Sequence, residues 1–187
     1  MTSPNSYPTS HEQELAPKPI DVGMKTWEAT TAESPVVQTK GLGPCIGIAV
    51  YDAVKREGRM AHIAVPMLEQ QTIADFLGSP VESPADTQNL QVWVRGGQPN
   101  LRDEGAKMFS LMGRDVIANS LAAAGISPDQ MDVAWDDEPM GSRSTRMILD
   151  AQTGQFESLV SPRPEVAVEI GREAIAGASP AIFELAA

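Results

Sequence analysis

Cys45 is the only cysteine in the chain, and His62 is one of two histidines, the other, His11, lying near the N-terminus. A thiol attacks a carbonyl carbon only as thiolate, and a neighbouring imidazole that accepts its proton is the usual way to form one near neutral pH. If the fold brings them together, the two could serve a cysteine hydrolase. Directly before the cysteine lies Gly41-Leu42-Gly43-Pro44. Gly41 and Gly43 let the backbone approach a substrate closely and could aim N–H groups at a developing oxyanion, whereas Pro44 has no N–H to offer. The bland alternative is a small strand cysteine and a satisfied core histidine, and spacing alone does not separate the two.

Positioning the pair falls to strands. Ile46 to Asp52 and Met60 to Val65 are short apolar runs joined by the charged turn Lys55-Arg56-Glu57-Gly58, which predicts a hairpin. A turn centred between Ala53 and Glu57 puts Cys45 within a few residues of a position opposite His62, while a bulge would change the register and the face. Ile20 to Thr30 reads as an opening strand, and Val36 to Thr39 as the strand that delivers Thr39. By itself, a threonine there is a β-branched residue of good strand propensity.

The order Thr39, two residues, Leu42-Gly43, one residue, Cys45, an apolar strand ending Tyr51-Asp52, a charged turn, then Met60-Ala61-His62 and apolar residues up to Pro66 resembles the CheD family of chemoreceptor glutamine deamidases. The resemblance implies that Cys45 is the nucleophile, His62 the general base and Thr39 the residue that orients the histidine. It implies a protein-glutamine glutaminase of chemotaxis, with a chemoreceptor as substrate, a CheC-like phosphatase as a further partner, and no metal or cofactor. Leu90 to Val94 followed by Arg95-Gly96-Gly97 resembles the family's strand and Gly-Gly turn, which adds Gly96 and Gly97 to Gly41 and Gly43 as the substrate and oxyanion loops.

The resemblance runs over roughly residues 20–157 and has departures. Where the family has a helix of several turns after the histidine strand, only Gln70 to Leu77 has helical character here before Gly78, Pro80 and Pro84. Gln98-Pro99-Asn100 alters a loop at the rim of the site. Met112-Gly113-Arg114-Asp115-Val116 resembles a family signature shortened by one residue and with Asp115 in place of asparagine. These departures, with Pro44, favour a second class of function, a binding module that docks on a receptor or CheC-like protein and acts by occupancy.

With 187 residues and a formal net charge of -11, the chain can bury a core but repels nucleic acid and anionic membrane surfaces. A single cysteine fits a reducing compartment, no apolar run reaches membrane-spanning length, and no signal peptide is recognisable, so a cytoplasmic protein is expected. Composition predicts a disordered arm over residues 1–19, a domain over 20–160 and a helical appendage over 161–187, in which Glu165 to Ala176 reads as a second helical stretch.

The expected fold is a single α/β domain of the α+β kind, since its strands are too numerous and hairpin-linked for a doubly wound parallel sheet. The resemblance makes it a β-sandwich-like core flanked by helices. Lys107 to Gly125 reads as an amphipathic helix with Met108, Leu111, Met112, Val116, Ile117 and Leu121 as its core stripe. Met131 to Trp135 and Met147 to Asp150 read as strands. Asp136-Asp137-Glu138 reads as a solvated acidic loop, and Arg143 or Arg146 either reaches the site or holds a turn by pairing with a carboxylate.

Overall fold

The computed structural model describes residues 18–64, 76 and 87–162. Residues 1–17, where an arm is expected, most of the segment after His62, and residues 163–187, where a helical appendage is expected, lie outside the described residues. So do the proposed breaks at Gly78, Pro80 and Pro84.

Strands β1 (Ile20–Asp21), β2 (Thr26–Ala29), β3 (Val36–Leu42), β4 (Ile46–Asp52), β5 (Glu57–Ile63) and β6 (Leu90–Gly96) precede a long helix, α1 (Glu104–Ala123). Strands β7 (Met131–Trp135), β8 (Arg143–Asp150) and β9 (Gln155–Pro162) follow it. One sheet has the order β1-β3-β8-β9 and the other β2-β5-β4-β6-β7. Neighbours are antiparallel except β1–β3 and β6–β7, which are parallel. The result is a mixed α/β domain of two stacked sheets with α1 on the outer face of the larger one.

β4 explains the layering. Its residues Ile46 to Tyr51 are all buried, because Ile46, Ile48 and Val50 face α1 while Ala49 and Tyr51 face the other sheet. A strand covered on both faces reads as a nearly continuous apolar run. Ile48, Val94, Ile117 and Leu121 form the heart of the helix-side core, and Val37, Leu42, Met60, Met147 and Leu149 that of the inter-sheet core. Each such side chain contributes about 1.5–3 kcal/mol by leaving water. Phe76, buried and helical, adds to the helix-side core.

The predicted hairpin forms without a slip. Asp52 Oδ1 accepts from the N–H groups of Val54 and Lys55, Arg56 takes a left-handed φ of 54°, and seven residue pairs follow from Asp52↔Glu57 to Ile46↔Ile63. α1 starts where the Asp103 side chain accepts from Ala106 N–H at 2.7 Å. It stops at Gly125, whose φ of 84° lets Gly125 N–H reach Ala122 O and Ile126 N–H reach Leu121 O.

Three expectations are corrected. The opening strand is two strands in different sheets, β1 and β2, because the chain crosses the sandwich at Gly23 to Lys25, with Lys25 at a φ of 68°. On α1 the core stripe is Ser110, Gly113, Arg114, Ile117 and Leu121, whereas Met108, Leu111 and Met112 are exposed. Both sets recur at helical spacing, and the polar loops under the first half of α1 select Ser110 and Arg114 for its inner face. The loop expected over Gly141 to Arg146 becomes strand β8 from Arg143 onward.

Candidate active site

Thr39, Cys45 and His62 reach one place from three strands or strand ends. β3 pairs with β8 regularly to Thr39↔Met147, then shifts register before Leu42↔Thr145. Gly41, at a φ of 81°, sits in that irregularity. Such a bulge re-aims the chain, and here it leads into the turn that ends at Cys45, one residue before the β4 ladder. His62 on β5 lies opposite Gly47, so the histidine and the cysteine are diagonal neighbours on the inter-sheet face.

His62 is 5% exposed, and its Nδ1 lies 2.9 Å from Thr39 Oγ1. The same hydroxyl donates to the carbonyl of Val22 at 2.9 Å. A hydroxyl has one proton and a carbonyl can only accept, so Thr39 must accept from His62 Nδ1–H. The neutral ring therefore carries its lone pair on Nε2, which is buried without a hydrogen-bond partner among the described residues. Burial lowers the His62 pKa below the ordinary 6.5, so the ring is neutral at pH 7. The main chain is fixed too, with Lys25 N–H donating to His62 O at 2.7 Å.

Cys45 is half-buried, and its Sγ lies 3.9 Å from Met24 Sδ. A cleft of about 380 Å³ is lined by Asp21, Val22, Gly23, Met24, Lys40, Gly41, Cys45 and His62. Asp21 and Lys40 pair across it at 3.6 Å. A thiol, a neutral imidazole with a fixed tautomer and a glycine turn thus share one opening, which is the equipment of nucleophilic acyl chemistry. Among the described residues no group of three or more His, Cys, Asp or Glu side chains could hold a metal ion.

Of the four glycines expected in substrate and oxyanion loops, Gly41 lines the cleft. Gly43, Gly96 and Gly97 lie behind the cysteine. Gln98 N–H donates to Gly43 O at 2.8 Å and Gly97 N–H to Cys45 O at 2.9 Å, so the Gly97 amide is engaged and faces no substrate. Gln98 is also not a rim residue, being fully buried.

The acidic run is not solvated at its first member. Asp136 is 6% exposed and accepts from Gln98 Nε2 and from Arg143 Nε and a terminal nitrogen. Burial alone would raise its carboxyl pKa, but the hydrogen bonds from Arg143 and Gln98, with smaller help from Glu138 N–H and the Arg143 charge, hold it below 3.8. Arg143 therefore holds a turn. Arg146 reaches Gln38 Oε1, whose amide donates to Asp21 at 2.8 Å on the cleft wall. Asp115 points to solvent and Arg114 inward, so the departure at Asp115 leaves the site untouched.

Sequence reasoning missed Val22, Met24 and Gly47. Val22 acts through its carbonyl, which no side-chain pattern reports. Gly47 had a visible signal only in lying near the start of the strand that follows Cys45, and Met24 lay inside the expected opening strand, which had no assigned part in the site.

No family model matches the chain. It is 31% identical over 151 residues to the "Probable chemoreceptor glutamine deamidase CheD" of Clostridium kluyveri, covering 73% of this chain and 90% of that protein. The protein of the same name from Haloarcula marismortui is 25% identical over 160 residues, covering 79% of this chain and 88% of its own. That of Moorella thermoacetica matches locally, 40% identical over 52 residues, and the match spans 30% of its length. Among solved structures, Bacillus licheniformis hypothetical protein YfiH matches with a TM-score of 0.38 and 13% identity, covering 53% of this chain and 46% of that one.

Proposed function

Because this chain belongs to the CheD family of chemotaxis deamidases, we propose that it hydrolyses the carboxamide of glutamine side chains in a chemoreceptor to glutamate, using Cys45 as nucleophile, His62 as base and Thr39 as the residue that orients the base. The observation that carries this reading is the hydrogen-bond relay from His62 Nδ1 through Thr39 to Val22 O, which leaves the Nε2 lone pair without a partner among the described residues, on a ring that lines the same cleft as Cys45.

His62 Nε2 takes the thiol proton, and the thiolate sulfur bonds to the amide carbon while the carbonyl electrons move onto oxygen. When that tetrahedral adduct collapses, the C–N bond breaks and His62 returns the proton to the departing nitrogen, releasing ammonia and leaving a thioester on Cys45. Water then gives a proton to His62 and attacks the thioester carbon. The C–S bond breaks, glutamate leaves, and the proton returns to the thiolate. Backbone N–H groups of the Gly41 to Cys45 turn serve the oxyanion, with Pro44 unable to contribute. The chemistry is assigned to the protein's own groups, acting in the cytoplasm on the receptor's cytoplasmic portion. No helix among the described residues is long and apolar enough to cross a membrane.

Receptor peptides incubated with the protein and weighed by mass spectrometry test the reading, since each deamidation adds about one dalton and must vanish in Cys45→Ser. A second reading is a module that binds a receptor or a CheC-like phosphatase and acts by occupancy. It is favoured by the apolar outer face of α1, where Met108, Phe109 and Met112 are each more than half exposed. Tight partner binding with no mass change on any receptor peptide selects it.

A further inference from the structure

We propose that Arg114 is a positioning residue for Cys45, acting through Gly97 and Gln98; the inference deepens the deamidase reading and rests on it. The turn that carries the cysteine is gripped from behind at two consecutive points, Gly97 N–H on the Cys45 carbonyl at 2.9 Å and Gln98 N–H on the Gly43 carbonyl at 2.8 Å. The two bonds fall on either side of Pro44, the residue that can donate nothing. Both carbonyl oxygens are thereby turned toward Gly97 and Gln98, away from the cleft, where their partial negative charge would oppose a thiolate or an oxyanion. The backbones are in close contact, since a Cβ on Gly96 would lie 2.4 Å from the Cys45 carbonyl oxygen.

What holds residues 97 and 98 in place is polar and buried. Arg114, 8% exposed, donates from Nε to Gly97 O at 3.1 Å, from one terminal nitrogen to Asp136 O at 2.8 Å and from the other to Asp137 at 2.7 Å. Its guanidinium rests over the Trp135 ring, 5.4 Å from the centroid. The Gln98 amide donates to Asp136 Oδ2 at 2.8 Å and to Arg143 O at 2.9 Å, and accepts from Gly141 N–H at 3.0 Å. The planar fork of Arg114 thus sets the orientation of the residue whose own N–H reaches Cys45, which a lysine ammonium cannot reproduce. Buried charge networks are weak stabilisers compared with apolar packing, which turns attention to what this one aligns.

The test follows iodoacetamide alkylation of Cys45 against pH in the full-length protein, well below each variant's melting temperature. In Arg114→Gln and Arg114→Lys the alkylation midpoint is expected to move to higher pH by about half a unit or more, because the carbonyls are no longer held out of the cleft. On a glutamine-bearing receptor peptide, kcat should fall roughly ten- to a hundredfold with KM changed less than about twofold. Asp137→Asn leaves the bonds to Gly97 and Asp136 carbonyls intact and should keep the wild-type midpoint. His62 from β5, Asp21 from β1 and Lys40 from β3, the titratable and charged groups lining the same cleft, are unaltered in every variant. A wild-type midpoint in the Arg114 variants, or an equal shift in Asp137→Asn, overturns the proposal. If Arg114→Gln does not fold, Arg114→Lys and Trp135→Leu carry the measurement under the same criterion. His62→Ala, run alongside, separates the two levels. Unchanged alkylation there removes the Cys45–His62 reading itself, while a response to His62→Ala with none to Arg114 removes this inference alone.

Discussion

Gly47 stands directly opposite His62 in the β4–β5 ladder, and the side chain it lacks leaves room for Met147 and Leu42 on the face that carries the histidine. A Cβ on Gly47 would lie 2.3 Å from Met147 Sδ and 2.6 Å from Leu42 Cδ1, both of them fully buried residues of the inter-sheet core.

Gly47→Ala should therefore overpack that core. The expected cost is about 1–3 kcal/mol, with a thermal midpoint lower by roughly 2–10 °C. Denaturant titration measures it, and Gly47→Ala combined with Met147→Ala should recover part of the loss because the nearest clashing atom is gone. No recovery in the double variant would mean that the strain comes from elsewhere.

Thr39→Val keeps the shape of the side chain and removes the hydroxyl that joins His62 Nδ1–H to Val22 O. Two buried groups lose their partner, at about 1–3 kcal/mol each, and the ring is released to its other tautomer. Deamidation should fall by more than the change in substrate binding explains, and Thr39→Ser should restore most of it. Equal activity in Thr39→Val and wild type would leave the threonine a packing role only.

Burial lowers the His62 pKa below 6.5. Unfolding restores the ordinary value, so as pH falls below about 6.5 the unfolded chain binds more protons than the folded one and stability drops. The contribution is complete above that pH and is lost as pH falls through the depressed folded value. Melts recorded from about pH 8 down to about pH 5 should show a decline that is smaller in His62→Gln. Parallel curves for the two proteins would contradict the assignment of a buried neutral ring.

Cys45→Ser should abolish glutamine-to-glutamate conversion with little change in melting temperature, because a hydroxyl of nearly the same size is far less acidic than a thiol. His62→Ala should lose roughly a hundredfold or more. Peptide mass spectrometry checks both, and wild-type turnover in either variant would reassign the chemistry.

Much of this was legible one strand at a time. The β4–β5 hairpin followed from Asp52, the charged turn and two apolar runs, and the end of α1 from Gly125. What escaped was non-local. Whether Met112 or Arg114 faces inward depends on what lies beneath α1, and that surface is built by Gly97 and Asp136 from other parts of the chain. The division of the opening strand between two sheets likewise depends on β3 and β5 as separate partners. Local periodicity carries no record of either.

The bond between Thr39 and His62 joins the two sheets, since β3 belongs to one and β5 to the other. β3 is itself held by β8, with Thr39 pairing Met147, from the far end of the described chain. During vectorial synthesis, then, the cysteine and the β4–β5 hairpin leave the ribosome long before the strand that seats Thr39 exists. Long-range pairings of this kind are formed late. The nascent chain carries its thiol before Thr39 is seated beside His62, and the grouping of the three residues is complete only when the sandwich closes.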